Sequence, residues 1–131
     1  MSIADEKFIA CTTYRRNGEP VSTPVWVVPV SDGRIGFWTA MGTGKTKRLA
    51  HDPRVLVQPS HRTGEPREGT APLAGTAELV RSGRLFDEVQ ARVRAKYGVL
   101  ATVSRFLGRL TGQRRTGQQY ADTVVLVRLD A

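Results

Sequence analysis

The sequence predicts a mainly β domain of the α+β kind: a small antiparallel barrel with helices packed on one side or end. Three observations carry this. Short runs rich in β-branched and aromatic residues alternate with Gly- and Asn-containing turns up to Val80. A helical period takes over between Ser82 and Gly112, and one apolar run, Thr123–Leu129, returns the chain to strand. With 131 residues and no internal repeat, the chain reads as one domain spanning 1–131.

Taken in order, Phe8–Tyr14 is the first strand and ends at Arg15-Arg16-Asn17-Gly18. Asn-Gly between two strand patterns signals a hairpin whose central residues both take positive φ, so Val21–Val28 is expected antiparallel to strand one. Pro24 cannot donate to a ladder, which puts that part of strand two at an edge or bulge. Ser31-Asp32-Gly33 turns the chain into strand three, Arg34–Thr39, completing a meander. A short helix follows, then strand four (Pro53–Pro59), a polar, turn-rich connection from His61 to Gly69, and strand five, Leu73–Val80. Ser82 is a helix cap. Leu85, Phe86, Val89 and Val93 recur at helical steps, and Gly98 ends that helix. Leu100, Val103, Phe106, Leu107 and Leu110 repeat the pattern in a second helix closed by Gly112, and a basic linker, Gln113–Gln119, leads to the last strand. The total is about six strands, a short helix and two helices in the C-terminal half.

Composition narrows the function classes. No apolar run approaches the roughly 20 residues that span a bilayer, so no membrane association is expected. The polar start, Met1–Lys7, has no signal-peptide pattern. A lone Cys11 forms no internal disulfide and fits a cytoplasmic protein. Two separated histidines, His51 and His61, offer no metal-ligand spacing. The net charge is +8, but the cations are spread from Arg15 to Arg128 rather than gathered in a basic arm. That argues against nucleic acid and for an acidic small molecule.

The stretch Thr39–Val55 is the chemical centre of the reading. Gly42 and Gly44 loosen the backbone, a helix N-terminus follows, and Lys45, Lys47 and Arg48 crowd one turn. These features together make an anion cradle. On a helix Lys45, Arg48 and Leu49 share one side while Lys47 points elsewhere. Gly44-Lys45-Thr46 echoes a P-loop, but position 39 is Thr where that motif needs Gly, and the hairpins deny a parallel βαβ context. Trp26 and Trp38 suit a core or the wall of a planar-ligand site equally well. No nucleophile, acid–base pair or metal cluster stands out, so no catalytic residue is assigned.

The order of these residues resembles a known family. Thr12–Trp26, with its Thr-Pro-Val-Trp block, then Gly33–Thr39, Gly44–Leu49 and Asp52-Pro53-Arg54-Val55 are similar to the pyridoxamine-phosphate-oxidase-like split β-barrel superfamily. Within it they most resemble the actinobacterial flavin/deazaflavin oxidoreductases that use coenzyme F420. The resemblance covers most of residues 7–80 and the final strand. It implies a split barrel of the FMN-binding kind and a homodimer with cofactor sites between subunits. It further implies that Thr23, Pro24, Val25 and Trp26 lie along the ring system, and that Thr39, Lys45 and Arg48 meet the phosphate with Lys47 beside them. Gln58 and Pro59, with the residues up to Arg62, would come from the neighbouring subunit. Ser60 and His61 depart from the family pattern, so substrate-side contacts do not carry over.

The function implied is hydride transfer from reduced F420 to a conjugated small molecule, the organic work belonging to the cofactor. The deazaflavin's acidic tail suits the positive charge. FMN is the alternative cofactor, and a non-enzymatic cofactor or tetrapyrrole carrier is the alternative from another class.

Overall fold

The computed structural model describes residues 3–39, 44–110 and 122–130, with side chains described up to residue 98 in the second of these segments. The expected Gly42, Gly112, the 113–119 linker and the side chains of the second helical stretch lie outside the described residues.

A 3-10 turn at Ile3–Asp5 precedes β1 (Ile9–Tyr14), β2 (Pro20–Val25), β3 (Val28–Pro29) and β4 (Ile35–Thr39). The chain continues through α1 (Gly44–His51), β5 (Arg54–Pro59), β6 (Leu73–Val80), α2 (Arg84–Leu110) and β7 (Thr123–Leu129). The seven strands form one sheet in the order β2-β1-β5-β6-β7-β4-β3, antiparallel at every pairing. Its two edge strands, β2 and β3, are consecutive in the chain with only Trp26 and Val27 between them. The two edges therefore lie side by side, and the sheet curls into a barrel split at this seam.

The single strand expected over Val21–Val28 is thus two. Its first part pairs with β1 and its last two residues pair with β4. The bend at the seam leaves Val27 out of both ladders, and side chains from α2 satisfy its backbone. Its N–H donates to Tyr97 Oη at 3.0 Å, and its carbonyl accepts from Lys96 Nζ at 2.7 Å. Lys96 Nζ also donates to Ala4 O and Glu6 O, tying the N-terminal turn to the same point. Pro24 sits on an edge strand, as its missing N–H requires.

Strand register sorts the core. Ile9, Cys11, Val25, Phe37, Val55, Val57, Val125 and Val127 fill the barrel, with Leu49 of α1 among them. Val124 and Leu126, on the other face of β7, join Val28, Val30, Val89, Val93 and Tyr97 beneath α2. Being buried on both faces is why Val124–Val127 of β7 is an unbroken apolar run. Among the described residues no helix is long and apolar enough to cross a membrane.

Two local expectations change. The two helices expected between Ser82 and Gly112 are joined end to end, as the arms of α2 meeting at a bend at Tyr97 (φ −116°, ψ 17°). The Asn17-Gly18 hairpin forms, but only Gly18 takes positive φ, +90°. Arg15 N donates to Glu19 O and Gly18 N to Arg15 O, so the turn has three loop residues rather than two. The same pattern recurs at Val30–Arg34 and at His61–Glu65. In each turn the residue before the glycine, Asn17, Asp32 or Thr63, uses its side-chain oxygen to accept the N–H two residues on. The connection after β5 is accordingly a small ordered hairpin with a Ser60–Pro66 bridge.

Candidate functional site

The site is built on α1 where it closes one end of the barrel. Its Thr46 and Leu49 are buried, its Lys47 is exposed, and its Lys45 and Arg48 lie between these extremes. Lys45 Nζ stands 5.8 Å from the centre of the Phe37 ring. Burial holds the Lys45 ammonium below its usual pKa, and the Arg48 charge adds to that depression, while Cys11 opposes it. Arg48 Nε donates to Thr13 Oγ1 at 2.5 Å. From there the guanidinium folds back over the first residue of its own helix, so that a Cβ on Gly44 would lie 2.6 Å from Nη1.

No ion pair among the described residues involves Arg15, Arg16, Lys45, Lys47 or Arg48. Burial and then the Arg15 charge push the Arg48 pKa down. Cations held this close, with no carboxylate paired to them among the described residues, can accept an external anion. Arg15, Arg16 and Asn17 of the β1–β2 turn face Gly44, Lys47, Arg48 and His51 of α1 across an open groove of about 710 Å³. His51 Nδ1 lies 3.1 Å from Lys47 O, which holds the ring against the helix.

The other residues expected at the site divide among three places. Thr23 pairs across the sheet with Cys11 inside the barrel, and its buried Oγ1 has no hydrogen-bond partner among the described residues. Val25 is buried on the same face, and Thr39 is buried at the end of β4, two residues beyond Phe37. On the outer face Pro24, Ala10 and Gln58 form one row across three strands, while Pro59 pairs with Ile9 and so belongs to the opposite, inward face. Gln58 Nε2 donates to Thr70 O and Oγ1, each at 3.1 Å, and Gly64 of the small hairpin packs over Pro24. Trp26 is at the seam, stacked on Tyr97 with centroids 4.6 Å apart and planes 4° apart, and 6.2 Å from Trp38. One indole face is therefore committed to α2.

Lys45, Arg48 and Thr23 thus converge around Cys11, whose thiol burial pushes up to about 11 against the pull of Lys45 and Arg48. Lys47 reaches the groove rather than this inner group. The sequence reading did not assign Arg15, Arg16 or Thr13 to the site. The arginines were visible as charge in a turn, and Thr13 as an ordinary strand threonine.

A family model described as pyridoxamine 5'-phosphate oxidase matches residues 2–127. No curated protein matches the sequence. Among solved structures, HutZ, the heme storage protein of Vibrio cholerae, superposes with a TM-score of 0.67 at 15% identity, over 98% of this chain and 85% of that one. HupZ of Group A Streptococcus gives 0.65 at 12% identity, over 98% and 84%. An F420 reductase gives 0.55 at 16% identity, over 98% and 91%. At these identities the superpositions speak for the fold.

Proposed function

The chain belongs to the pyridoxamine 5'-phosphate oxidase family, and on that premise we propose that it is an oxidoreductase that binds coenzyme F420 and reduces a conjugated small molecule. The observation that carries the proposal is the Lys45–Arg48 pair at the start of α1, half-buried and without an ion-pair partner among the described residues, with Arg48 also lining a groove that further cations share.

The residues present fit such a cofactor. The absent Cβ of Gly44 lets the Arg48 guanidinium lie over the start of α1, and the Thr23 hydroxyl is a buried polar group with no partner among the described residues. Lys45 and Arg48 would hold the phosphate, with α1 contributing its positive end. Thr23, Pro24 and Val25 would line the ring through an edge strand whose outer side has no ladder partner among the described residues. Lys47, Arg15 and Arg16 supply more positive charge than one phosphate of about −2 needs, which favours the deazaflavin with its acidic tail over FMN. When bound, the deazaflavin supplies the hydride. The chain's part is to orient the ring, fix charge beside it and keep the barrel end dry. Tyr97 is committed to backbone groups of the seam. In this reading the protein is a cytoplasmic homodimer, with Gln58 and Pro59 of a second copy completing the cleft.

Titration of the purified protein with F420, FMN and hemin, followed by fluorescence quenching, tests the reading. F420 is expected to bind at micromolar levels or tighter. Lys45→Ala with Arg48→Ala should weaken it at least about a hundredfold, since each charged hydrogen bond contributes about 1.5–3 kcal/mol. Tight binding of FMN alone would move the assignment to a flavin enzyme, and of hemin alone to a tetrapyrrole carrier. Binding of none of the three would sink the proposal.

A further inference from the structure

We infer that Thr13 is a positioning residue for the anion site: its hydroxyl fixes Arg48 so that the guanidinium stays over Gly44 and presents its free N–H groups to the ligand. The inference rests on the reading of this cluster as an anion site, and not on which cofactor brings the anion.

Thr13 is fully buried on β1, on the inward face that it shares with Ile9 and Cys11. At such a position an isosteric valine would pack without burying a hydroxyl. The one partner that the hydroxyl has among the described residues is Arg48 Nε, at 2.5 Å. The polar atom therefore serves the arginine and not the strand. The bond consumes one of five guanidinium donors and leaves the four on Nη1 and Nη2 with no acceptor among the described residues.

Electrostatics gives the bond a task. Arg48 sits where both burial and the Arg15 charge work against its positive form. A long, rotamer-rich side chain left to itself would swing away from Arg15 into solvent. Thr13 holds it at the near end, and the missing Cβ of Gly44 makes room at the far end. The site is thereby organised before a ligand arrives, so less side-chain ordering remains to be done on binding.

The test compares Thr13→Val, Thr13→Ser and Gly44→Ala in the full chain. Two readouts are used: affinity for F420 and FMN by fluorescence, and the Arg48 Nε–H signal in 15N-resolved NMR, assigned by its loss in Arg48→Ala. In the free wild type that signal is expected to be protected from solvent exchange. Thr13→Val should remove the protection and weaken cofactor binding about tenfold, the order of one charge-assisted hydrogen bond. Thr13→Ser should restore both to within about threefold, because it keeps the oxygen. Gly44→Ala should weaken binding while the thermal transition stays near wild type, since the atom it displaces is the end of a flexible side chain. Wild-type affinity in Thr13→Val while Arg48→Ala has lost it would overturn the inference. If neither cofactor binds the wild type, the functional reading fails separately. The NMR arm still decides the matter: protection lost in Thr13→Val and kept in Thr13→Ser supports the positioning role, and protection unchanged in Thr13→Val refutes it.

Discussion

Replacing Tyr97 by Phe tests whether the barrel seam depends on one hydroxyl. The Tyr97 hydroxyl accepts the Val27 N–H at 3.0 Å, and its own proton goes to the carbonyl of Val27 or Lys7, each at 2.9 Å. Val27 is fully buried between the end of β2 and the start of β3, so its N–H has no ladder to return to. Phe keeps the ring stacked on Trp26 and the packing under α2, which isolates the hydroxyl. The Val27 carbonyl keeps Lys96 Nζ, so the main loss is one stranded buried donor, about 1–3 kcal/mol. For a domain of this size each kcal/mol moves Tm by roughly 3–5 °C, giving a fall of roughly 3–15 °C by calorimetry. Burial pushes the Tyr97 pKa from 10.0 up to about 12. Between those values the folded state binds more protons than the unfolded one, so wild-type stability falls as pH rises through that window. The Phe variant should lack that component. A Tm change within about 2 °C, near the scatter of neutral surface substitutions, together with an unaltered alkaline stability profile, would refute the assignment.

Other consequences follow from single contacts. A Cβ at Gly75 would lie 2.7 Å from the Arg128 carbonyl oxygen and 3.0 Å from Val127 Cγ1. Gly75→Ala should therefore pry β6 from β7 and destabilise by about 1–3 kcal/mol in urea titration; a neutral result would contradict the close strand approach. The Lys45 ammonium is held below its ordinary value of 10.5 by burial, so anion affinity should decline with rising pH before a normal lysine would titrate. Lys45→Arg should flatten that decline, and an unchanged profile would remove Lys45 from the site. Folding linkage has the opposite sign: while Lys45 is proton-poor in the fold, stability rises with pH up to 10.5. Cys11, fully buried with its thiol pushed to about 11, should resist iodoacetamide near neutral pH until the protein is denatured. Rapid stoichiometric labelling of the native protein would contradict that.

How much of this was legible in the sequence depends on the range of the cause. β6, β7 and the first arm of α2 follow from alternation, apolar runs and i, i+3, i+4 spacing, all local signals. The convergence of Lys45 and Arg48 was legible for the same reason, because three residues on a helix is nearly one turn. The break at Trp26–Val27 was not. Val25-Trp26-Val27-Val28 is as good a strand pattern as any in the chain, and it bends because the sheet closes there and the strand changes partners.

The groove shows the same limit and also how it is overcome. No window of sequence contains both Arg15 and Lys47 as neighbours, yet register brings them together. β1 and β5 pair antiparallel with Thr12 opposite Leu56, so two residues further on Tyr14 comes beside Arg54, whose guanidinium lies 5.1 Å from the Tyr14 ring. α1 ends at His51, just before β5. The start of β5 therefore carries the helix to the tip that follows β1, and the tip is Arg15-Arg16-Asn17. Once the register is known the cation cluster follows by counting residues. A shift of β1 against β5 by a single residue would turn Thr13 out of the barrel and away from Arg48. The pairing that builds the core is thus the same one that assembles the proposed anion site, and destabilising the β1–β5 ladder should loosen both together.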